Sequence, residues 1–523
     1  MTRSHALARA GLIVTTAFLA SRLLGWVRLV VMGTIFGAEG ELDTFFAAFR
    51  LPDLMFQLVA AGALGSALIP ILTGLLTEGR ADRAWRVVST IANLMTAALL
   101  FLALIVFVAA PLLVPLITPG FGQAQIDQTV LLTRVMLLSP ILLALGAVAT
   151  SALNAQDRFA AAALAPITYN IAIIGGAVLL GPTLGVAGLA VGVVVGSAGH
   201  LLVQLLPLRR TGYRYRPEID ATDPPTHEAV TLLIPRAIGL GTNQFTFIVA
   251  TTLASGLGVG AITAFNFAFA LLQLPIGVIG VPLGVIVFPS LARELARGSV
   301  EEYVRLLTRA IRLIVFVMVP IAGIAMVLRR QIVTLLFGYG RFDDRAIDMT
   351  ADTLLFFLVG LTAHASIAIV ARAFYARRDT RTPVIAAMLA VATNSILAVL
   401  LAGPLGLSGI ALAIAVGAWF EAAVLLALLR RRVPQLRLDG VARVLVESVL
   451  ATVAAAVAAL GVVRVVDALA GPQPERFVIA GQAALAGGTA LALYVGLAAV
   501  LRIPELASTI EVMRDIVLRR RPA

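Results

Sequence analysis

The sequence contains no cysteine and no lysine, and charged residues of either sign are scarce. Of its 523 residues, 13% are charged and 60% are hydrophobic, and the mean hydropathy is +1.00. A soluble domain carries about 25% charged and about 45–50% apolar residues. The shortage of charge therefore excludes an ordinary soluble domain and favours a membrane protein, because lipid excludes charged side chains. The absence of cysteine excludes disulfides and thiolate metal sites.

The basic residues are all arginine. They number 40 against 28 acidic residues, which gives a net charge of +12 and a pI near 11.1. So basic a chain is typical of nucleic-acid binding when the charge forms a surface patch. Here the arginines stand between apolar segments, so membrane topology explains them and we expect no nucleic-acid partner.

Catalytic and cofactor motifs are also missing. The four histidines are scattered without metal-ligand spacing, and no glycine-rich phosphate-binding loop is present. Asp343 and Asp344 form an acidic pair in an outer loop, and Arg341 and Arg345 flank it as they would in a self-neutralised loop. We therefore predict no metal, no cofactor, no ATP-driven step and no enzymatic activity.

Long apolar runs follow one another along the chain. A transmembrane helix needs about 20 predominantly apolar residues, and the sequence predicts an all-α polytopic membrane protein with about fourteen such spans. In chain order, these predicted spans 1 to 14 cover residues 10–36, 44–75, 87–117, 128–153, 160–180, 184–207, 229–254, 261–291, 304–337, 350–375, 383–402, 405–429, 442–463 and 478–501.

The arginines are distributed unequally between the two sides of the membrane. With the N-terminus inside, the inner segments hold 26 arginines and the outer loops hold four. Because positively charged segments stay in the cytoplasm, this inequality predicts that both termini are cytoplasmic. Residues 502–523 combine helical apolar spacing with a basic end, which predicts an interfacial helix, although a frayed tail is an equal alternative.

The sequence repeats itself at a nearly constant offset. Gly181–Gly188 recurs as Gly403–Gly409, and Gly65–Pro70 recurs as Gly284–Pro289. We therefore predict two pseudo-symmetric six-helix lobes, in an architecture typical of transporters. The predicted divisions are residues 1–215 and 216–435 for the lobes, 436–501 for two additional helices that form a lipid-tail groove, and 502–523 for the cytoplasmic tail.

Three of the arginines within predicted spans are unusual. Arg22 and Arg28 fall in span 1 and Arg50 in the outer half of span 2, where each charge is costly unless it is paired or faces water. Gly25 lies between the first two and is the predicted hinge that turns both toward one cavity. Asp53, three residues after Arg50, is the nearest acid. A cationic cavity suits phosphate or diphosphate, although snorkelling or local pairing is the alternative for Arg50.

The chain resembles the MurJ (MviN-type) lipid II flippases of the multidrug/oligosaccharidyl-lipid/polysaccharide exporter superfamily. The matching segments run from span 1 to span 12. They are Ser21–Arg28, Phe36-Gly37, Asp43–Phe46, Leu51-Pro52, Gly62-Ala63, Pro70, Pro119–Phe121, Leu153-Asn154, Arg158-Phe159, Pro166, Asn170, Gly284, Pro289–Leu291, Tyr339–Phe342, Phe374-Tyr375, Asp379 and Thr382-Pro383.

The resemblance implies a specific activity. A family member carries undecaprenyl-diphosphate-linked peptidoglycan precursor from the inner to the outer leaflet of the bacterial plasma membrane by alternating access. Arg22, Arg28, Arg50 and Asp43 match charged family positions, so the resemblance implies that they bind the substrate. The expected partners are lipid II and membrane lipids, and the expected state is a monomer.

Several family positions have lost their charge. The family usually has an arginine shortly after the Leu-Pro of span 2, where this chain has Phe56, and an acid where it has Ala61. It usually has an Asp-Arg pair in span 8, where this chain has Phe269 and Ala270. A flippase for another polyprenyl-diphosphate glycan is therefore the first alternative. A cation-coupled drug exporter is a weaker one, because such exporters favour acidic cavities.

Overall fold

The computed structural model describes residues 3–59, 63–220, 222–471 and 475–507. In this part of the chain, nineteen α-helices and two short π-helical segments follow one another. The α-helices are α1 Arg3–Phe36, α2 Gly40–Val59, α3 Ala63–Thr77, α4 Ala81–Ile117, α5 Gln123–Met136, α6 Leu138–Asn154, α7 Phe159–Gly175, α8 Gly181–Leu184, α9 Val186–Arg209, α10 Pro224–Ser255, α11 Ala261–Pro275, α12 Val281–Ala296, α13 Val300–Val327, α14 Arg329–Phe337, α15 Asp344–Val359, α16 Leu361–Ala376, α17 Arg381–Arg432, α18 Asp439–Ala470 and α19 Arg476–Val500. The π-helical segments are Gly176–Leu180 and Ile276–Gly280.

The predicted spans coincide with these helices. Ten described helical stretches are long and apolar enough to cross a membrane, and the pair α15 and α16, bent by 44°, makes an eleventh. Helix α17 covers predicted spans 11 and 12 and breaks at Gly406. Span 2 coincides with α2 and α3, and span 7 coincides with α10. Residues 60–62, between α2 and α3, lie outside the described set. The prediction of a polytopic, all-helical membrane protein is confirmed.

The helix surfaces also fit a lipid environment. Helix α4 buries Val88 and Ile91 toward its neighbours, whereas Phe101, Val108 and Leu112 are each between 67% and 69% exposed. A monomeric soluble protein rarely exposes so continuous an apolar surface. The outer face of α4 is therefore the face that lipid would cover.

By its contacts the chain divides into two units. The first comprises Met1–Thr263 with Tyr339–Asp343, and the second comprises Ala264–Gly338 with Asp344–Ala523. This division falls one helix after the repeat boundary predicted at residues 215 and 216, because α10 packs against α2, α3 and α4. Grouping by contacts and grouping by repeat are different criteria, so the predicted lobes remain a prediction.

A loop distant in sequence completes the first unit. The backbone N–H of Arg341 donates to the carbonyl of Thr34, 2.9 Å away, and the Arg341 side chain pairs with Glu39 at 2.5 Å. A Cβ at Gly340 would lie 2.2 Å from the Thr34 carbonyl oxygen, so this approach requires glycine. The segment Tyr339–Asp343 is thus held against the end of α1, which explains why it belongs with the first unit.

Glycines let α7 and α9 approach closely. Gly188, Gly192 and Gly196 stand four residues apart on one face of α9. A Cβ at Gly192 would lie 2.9 Å from the Ala172 carbonyl oxygen, and one at Gly196 would lie 2.8 Å from that of Tyr169. Such small-residue faces bring membrane helices into backbone contact.

The second unit repeats this arrangement within α17. Gly406 has φ 58° and ψ −137°, and Gly185, before α9, has φ 57° and ψ −140°. After the break, a Cβ at Gly417 would lie 3.2 Å from the Ala390 carbonyl oxygen. This approach corresponds to that of the Gly196 Cβ to the Tyr169 carbonyl oxygen, at 2.8 Å. The separation between Gly185 and Gly406 in the sequence equals that between Gly196 and Gly417. The two copies of the predicted repeat therefore share this break and this close approach of helices.

Helices α18 and α19 pack on α13 in the second unit. The Tyr494 hydroxyl donates to the Phe316 carbonyl at 2.7 Å and lies 3.3 Å from the Ser448 hydroxyl. After α19, Ile503 is buried and Glu505 pairs with Arg312 at 2.6 Å. The described start of the predicted interfacial tail is therefore anchored by side chains, and residues 508–523 lie outside the described set.

Candidate anion-binding site

Arg28 is the first charged residue of the candidate site. It lies half-buried on α1, and its guanidinium interacts electrostatically with the hydroxyl of Tyr169 on α7. Tyr169 in turn interacts with the carboxylate of Asp53 on α2. Three helices of the first unit therefore bring a guanidinium, a phenol and a carboxylate into one neighbourhood.

Arg50 extends this cluster on α2. It is 7% exposed and lies within the electrostatic reach of Asp53, three residues later. Its Nε donates to Thr251 Oγ1 at 2.8 Å, and its guanidinium carbon lies 5.1 Å from the centre of the Phe247 ring. The side chain of Arg50 thus packs against α10 and is buried, so it does not snorkel to the surface. Its position in the outer half of the span stays a prediction.

Asp53 is the carboxylate beside Arg50 and Tyr169. Its Oδ2 accepts a hydrogen bond from Gln244 Nε2 at 2.9 Å, and Gln57 is a second donor. Within the cluster, Arg50 therefore interacts with Asp53 and Arg28 with Tyr169, so two guanidinium groups accompany one carboxylate. We call Arg28, Arg50, Asp53 and Tyr169 the arginine cluster.

Arg22 lies outside the arginine cluster. Its side chain is exposed, and its guanidinium carbon lies 4.9 Å from the centre of the Phe18 ring, one turn earlier on α1. Gly25, the predicted hinge, lies inside the continuous helix α1, where a Cβ would meet Asn170 Oδ1 at an ordinary 3.8 Å. The structure thus brings Arg28 and Arg50 together through Asp53 and Tyr169, and leaves Arg22 apart.

Asp43 binds groups of the protein backbone and a hydroxyl, not an arginine of the cluster. It is 2% exposed, and its carboxylate accepts hydrogen bonds from the backbone N–H groups of Gly260 and Thr263 and from the Thr263 hydroxyl, at 2.7–2.8 Å. Both oxygens are thus engaged with the segment that follows α10. In this structure Asp43 positions that segment, and its predicted contact with substrate stays a prediction.

Sequence reasoning missed the uncharged part of the site. Gln244, Phe247 and Thr251 stand at positions i, i+3 and i+7, which form one face of α10. Two polar residues on one face of an apolar span were a signal for that face. Tyr169 had no comparable signal, because a lone tyrosine in a span is as often a packing residue.

A second carboxylate in a span was also missed. Glu421 lies half-buried on α17 in the second unit and interacts electrostatically with Tyr375 on α16, which also interacts with Arg372. Glu421 is distant in sequence from the arginines of spans 1 and 2, so the sequence did not mark it as their partner. Of the altered family positions, Ala61 lies outside the described residues.

Solved structures place this fold in a class. One entitled "Lipid II flippase MurJ, inward closed conformation" covers 94% of this chain and 98% of its own, with a TM-score of 0.77 at 21% identity. A multidrug resistance MATE family transporter of the MOP superfamily covers 80% of this chain and 95% of its own, with a TM-score of 0.65 at 15% identity. The chain therefore has the polytopic helical fold that these two membrane proteins share.

The particular family follows from the sequence comparisons. The family model described as "Lipid II flippase MurJ" matches residues 32–471. A Rhizobium tropici protein named "Probable lipid II flippase MurJ" is 33% identical over 424 residues, which are 80% of this chain and 79% of that protein. The lipid II flippase MurJ of Burkholderia cenocepacia is 30% identical over 433 residues, covering 81% and 84% of the two chains. The chain belongs to the MurJ lipid II flippase family.

Family membership confirms the predicted resemblance and bears on the alternatives. Of the two relatives named above, one is named a lipid II flippase and the other a probable one, and the match to the MATE transporter is a likeness of fold alone. Neither the drug exporter nor a flippase for another glycan is favoured. The uncharged residues Phe56 and Ala270 are therefore features of a chain within the family.

Proposed function

We propose that this chain translocates lipid II from the cytoplasmic to the outer leaflet of the bacterial plasma membrane by alternating access, as a monomer and without catalysing a covalent step. Family membership supports this proposal. The single observation that carries its mechanism is the arginine cluster, in which two guanidinium groups within spans share one neighbourhood with a single carboxylate and a phenol. An excess of positive charge in a low-dielectric setting attracts an anion strongly.

The diphosphate of the substrate is the anion that fits the arginine cluster. Guanidinium groups form paired hydrogen bonds to phosphate oxygens, and the Tyr169 hydroxyl adds a neutral donor. The diphosphate would compete with Asp53 for Arg50 and would meet Arg28 beside Tyr169. Because a charged hydrogen bond contributes about 1.5–3 kcal/mol, this exchange holds the head group firmly and also lets Asp53 displace it on release.

Arg22 and Asp43 have supporting roles in this proposal. The exposed guanidinium of Arg22 lies nearer the proposed cytoplasmic end of α1 than Arg28 does, so it meets the head group first. Asp43 holds the segment containing Gly260 and Thr263, and any contact with substrate follows from rearrangement of that segment. Gly25 is the proposed point at which α1 bends during transport.

Helices α18 and α19 are the proposed groove for the polyprenyl tail. Their buried faces hold Tyr494 and Gln482, whereas Leu450 and Val457 are 63% and 66% exposed. An apolar tail gains favourable contact along such a face. The proposed lobes remain residues 1–215 and 216–435, with residues 436–501 as the added helices.

Both termini are proposed to be cytoplasmic, because the inner segments hold far more arginines than the outer loops do. The absence of native cysteine makes the orientation simple to test. Glu78→Cys and Gln123→Cys each place one thiol at an exposed position on opposite proposed sides. In intact spheroplasts, a membrane-impermeant maleimide should label the Gln123→Cys variant alone, and labelling of the Glu78→Cys variant alone would reverse the orientation.

Complementation tests the activity itself. The chain should restore growth to a bacterium depleted of its own lipid II flippase. Absence of rescue, at normal membrane levels of the chain, would contradict lipid II as the substrate. Rescue of a strain that lacks the flippase for a different polyprenyl-diphosphate glycan would then support the other cargo.

A further inference from the structure

A pocket lies at the basic end of α17 in the second unit. Its volume is about 770 Å³. It is lined by Ala423, Leu426, Ala427, Arg430, Arg431, Pro434 and Leu438. The first three residues stand at i, i+3 and i+4, so they form one apolar stripe on the final turns of the helix.

The three consecutive arginines at this end differ in their partners. The guanidinium of Arg432 pairs with Asp379, donates to Thr382 Oγ1 at 3.0 Å and lies over the Phe374 ring. Arg430 and Arg431 are exposed at the pocket, and neither forms an ion pair among the side chains that the structure describes. Arg432 therefore holds the loop that contains Asp379, whereas the guanidinium groups of Arg430 and Arg431 can bind a ligand in the pocket.

The pocket combines two environments in the order that a lipid presents them. The stripe from Ala423 to Ala427 belongs to the membrane-spanning part of α17, and the arginines stand where the span ends. A phospholipid likewise has acyl chains in the apolar layer and a phosphate at the interface. We propose that this pocket binds one anionic phospholipid, with its phosphate on Arg430 and Arg431 and part of an acyl chain along the Ala423–Ala427 stripe.

Charge complementarity selects the anionic phospholipid as the occupant. Basic side chains at the end of a span attract anionic lipids of the inner leaflet, and two guanidinium groups hold one phosphate through paired hydrogen bonds. The buried side chains of Val433 and Leu436 fix the linker that carries Pro434 and Leu438. The far wall of the pocket is therefore built in place before any lipid binds.

Native mass spectrometry of the full-length protein tests this proposal. The purified protein is titrated with phosphatidylglycerol and, separately, with phosphatidylcholine. We expect retention of phosphatidylglycerol to fall on the order of tenfold in the Arg430→Gln/Arg431→Gln variant, as the loss of two interfacial charges implies. The matched control is Arg437→Gln, which removes an exposed arginine of the same linker outside the pocket lining and should retain the lipid.

A second variant separates the pocket from general surface charge. Ala427→Trp keeps both arginines and fills the apolar stripe, so it should also lower phosphatidylglycerol retention, while its thermal unfolding shows that the variant is folded. Three results would overturn the proposal: equal retention of phosphatidylglycerol and phosphatidylcholine, equal losses in the Arg430→Gln/Arg431→Gln and Arg437→Gln variants, or displacement of the lipid by stoichiometric undecaprenyl diphosphate. The last result would make the pocket a substrate site.

Discussion

The two copies of the internal repeat have kept the same backbone and diverged in their charges. Helix α9 begins after Gly185, and the last part of α17 begins after Gly406, with φ and ψ within a few degrees of each other. The sequence offset that relates these two glycines also pairs Tyr169 with Ala390. A packing face is thus common to both copies, whereas the phenol of the arginine cluster occurs in one.

The difference is larger on α2 and its counterpart. The offset between Gly65 and Gly284 places Phe269 at the position of Arg50 and Leu272 at that of Asp53. Phe269 stacks on Phe265, with ring centres 6.3 Å apart. Where the first copy holds Arg50 and Asp53, the second therefore holds an aromatic cluster.

This comparison separates two demands on a duplicated transporter. Small residues at helix crossings are required twice, because each copy must pack its own helices. Charge within a span is expensive, so it is kept where it binds something. The following predictions test whether the first copy supplies anion binding and the second supplies stability.

The largest effect is expected from the arginine cluster. The Arg28→Ala and Arg50→Ala variants should each lose complementation of flippase depletion. Loss of charged hydrogen bonds worth about 1.5–3 kcal/mol each corresponds to roughly 10- to 150-fold weaker binding. Growth at matched membrane levels is the measurement. Arg330→Ala is the control, because Arg330 is 58% exposed and its surface pairs contribute little. Growth of both cluster variants at the wild-type rate would break the comparison.

The aromatic cluster should affect stability in preference to transport. Phe265 is 1% exposed and also meets Phe357 edge to face at 5.4 Å. The Phe265→Ala variant should lose about 3–5 kcal/mol of stability through the cavity it leaves. Thermal unfolding in detergent measures this loss, and Phe101→Ala, which changes a ring that is 67% exposed, should unfold as the wild type does. A transport defect without a fall in stability would contradict the assignment.

The shared glycine faces should respond alike in the two copies. Gly196→Val and Gly417→Val each force a branched side chain against a backbone carbonyl, with an expected cost of about 1–3 kcal/mol. Gly461→Val on α18 is the control, since a Cβ at Gly461 meets nothing within 4 Å. The measurement is again thermal unfolding. A clear effect in one copy alone would show that the repeat is not equivalent at these crossings.

The smallest effect concerns a loop in which one position carries opposite charges in the two copies. The offset between Gly185 and Gly406 also pairs Arg158 with Asp379. Burial alone would raise the pKa of the Asp379 carboxyl, but hydrogen bonds from Thr382 and Arg432 outweigh it and lower that pKa to about 2. Because the folded-state pKa is below the ordinary value of 3.8, the stabilisation is present above pH 3.8 and is lost as the pH falls toward 2.

Hydrogen exchange measures this loop effect. Amides of residues 374–382 should lose protection in the Asp379→Asn variant at neutral pH, and in the wild type as the pH approaches 2 after correction for the intrinsic rates. The loop at residues 153–158 serves as the internal reference, since its carboxylate, Asp157, forms no ion pair among the described side chains, whereas Asp379 pairs with Arg432. Equal loss of protection in both loops would contradict the role of Asp379.

Hydropathy and arginine position predicted the helices well because each depends on neighbours in the sequence. Predicted span 1 and α1 agree, and Gly185 and Gly406 mark the repeat in both sequence and backbone. Partners were harder to predict. Asp43 bonds to residues more than 200 positions away, so its sequence context did not distinguish a cavity acid from a carboxylate that holds a loop.

The arginine cluster shows the same limit. Charge within a span identified Arg28 and Arg50 as candidates, because desolvation makes such residues rare. Which uncharged groups accompany them depends on how α7 and α10 pack against α1 and α2, and Tyr169 and Thr251 were therefore found only in the structure. The predicted hinge at Gly25 concerns a motion and has no counterpart in a single continuous helix.

The most direct test of the central claim is lipid binding by the purified protein and its Arg28→Ala/Arg50→Ala variant. Native mass spectrometry with undecaprenyl diphosphate and undecaprenyl monophosphate measures whether the arginine cluster recognises the diphosphate. The wild type should retain the diphosphate at least tenfold better than the variant does, and the monophosphate should show a smaller difference. Equal retention of the diphosphate by the wild type and by a folded variant would contradict the account.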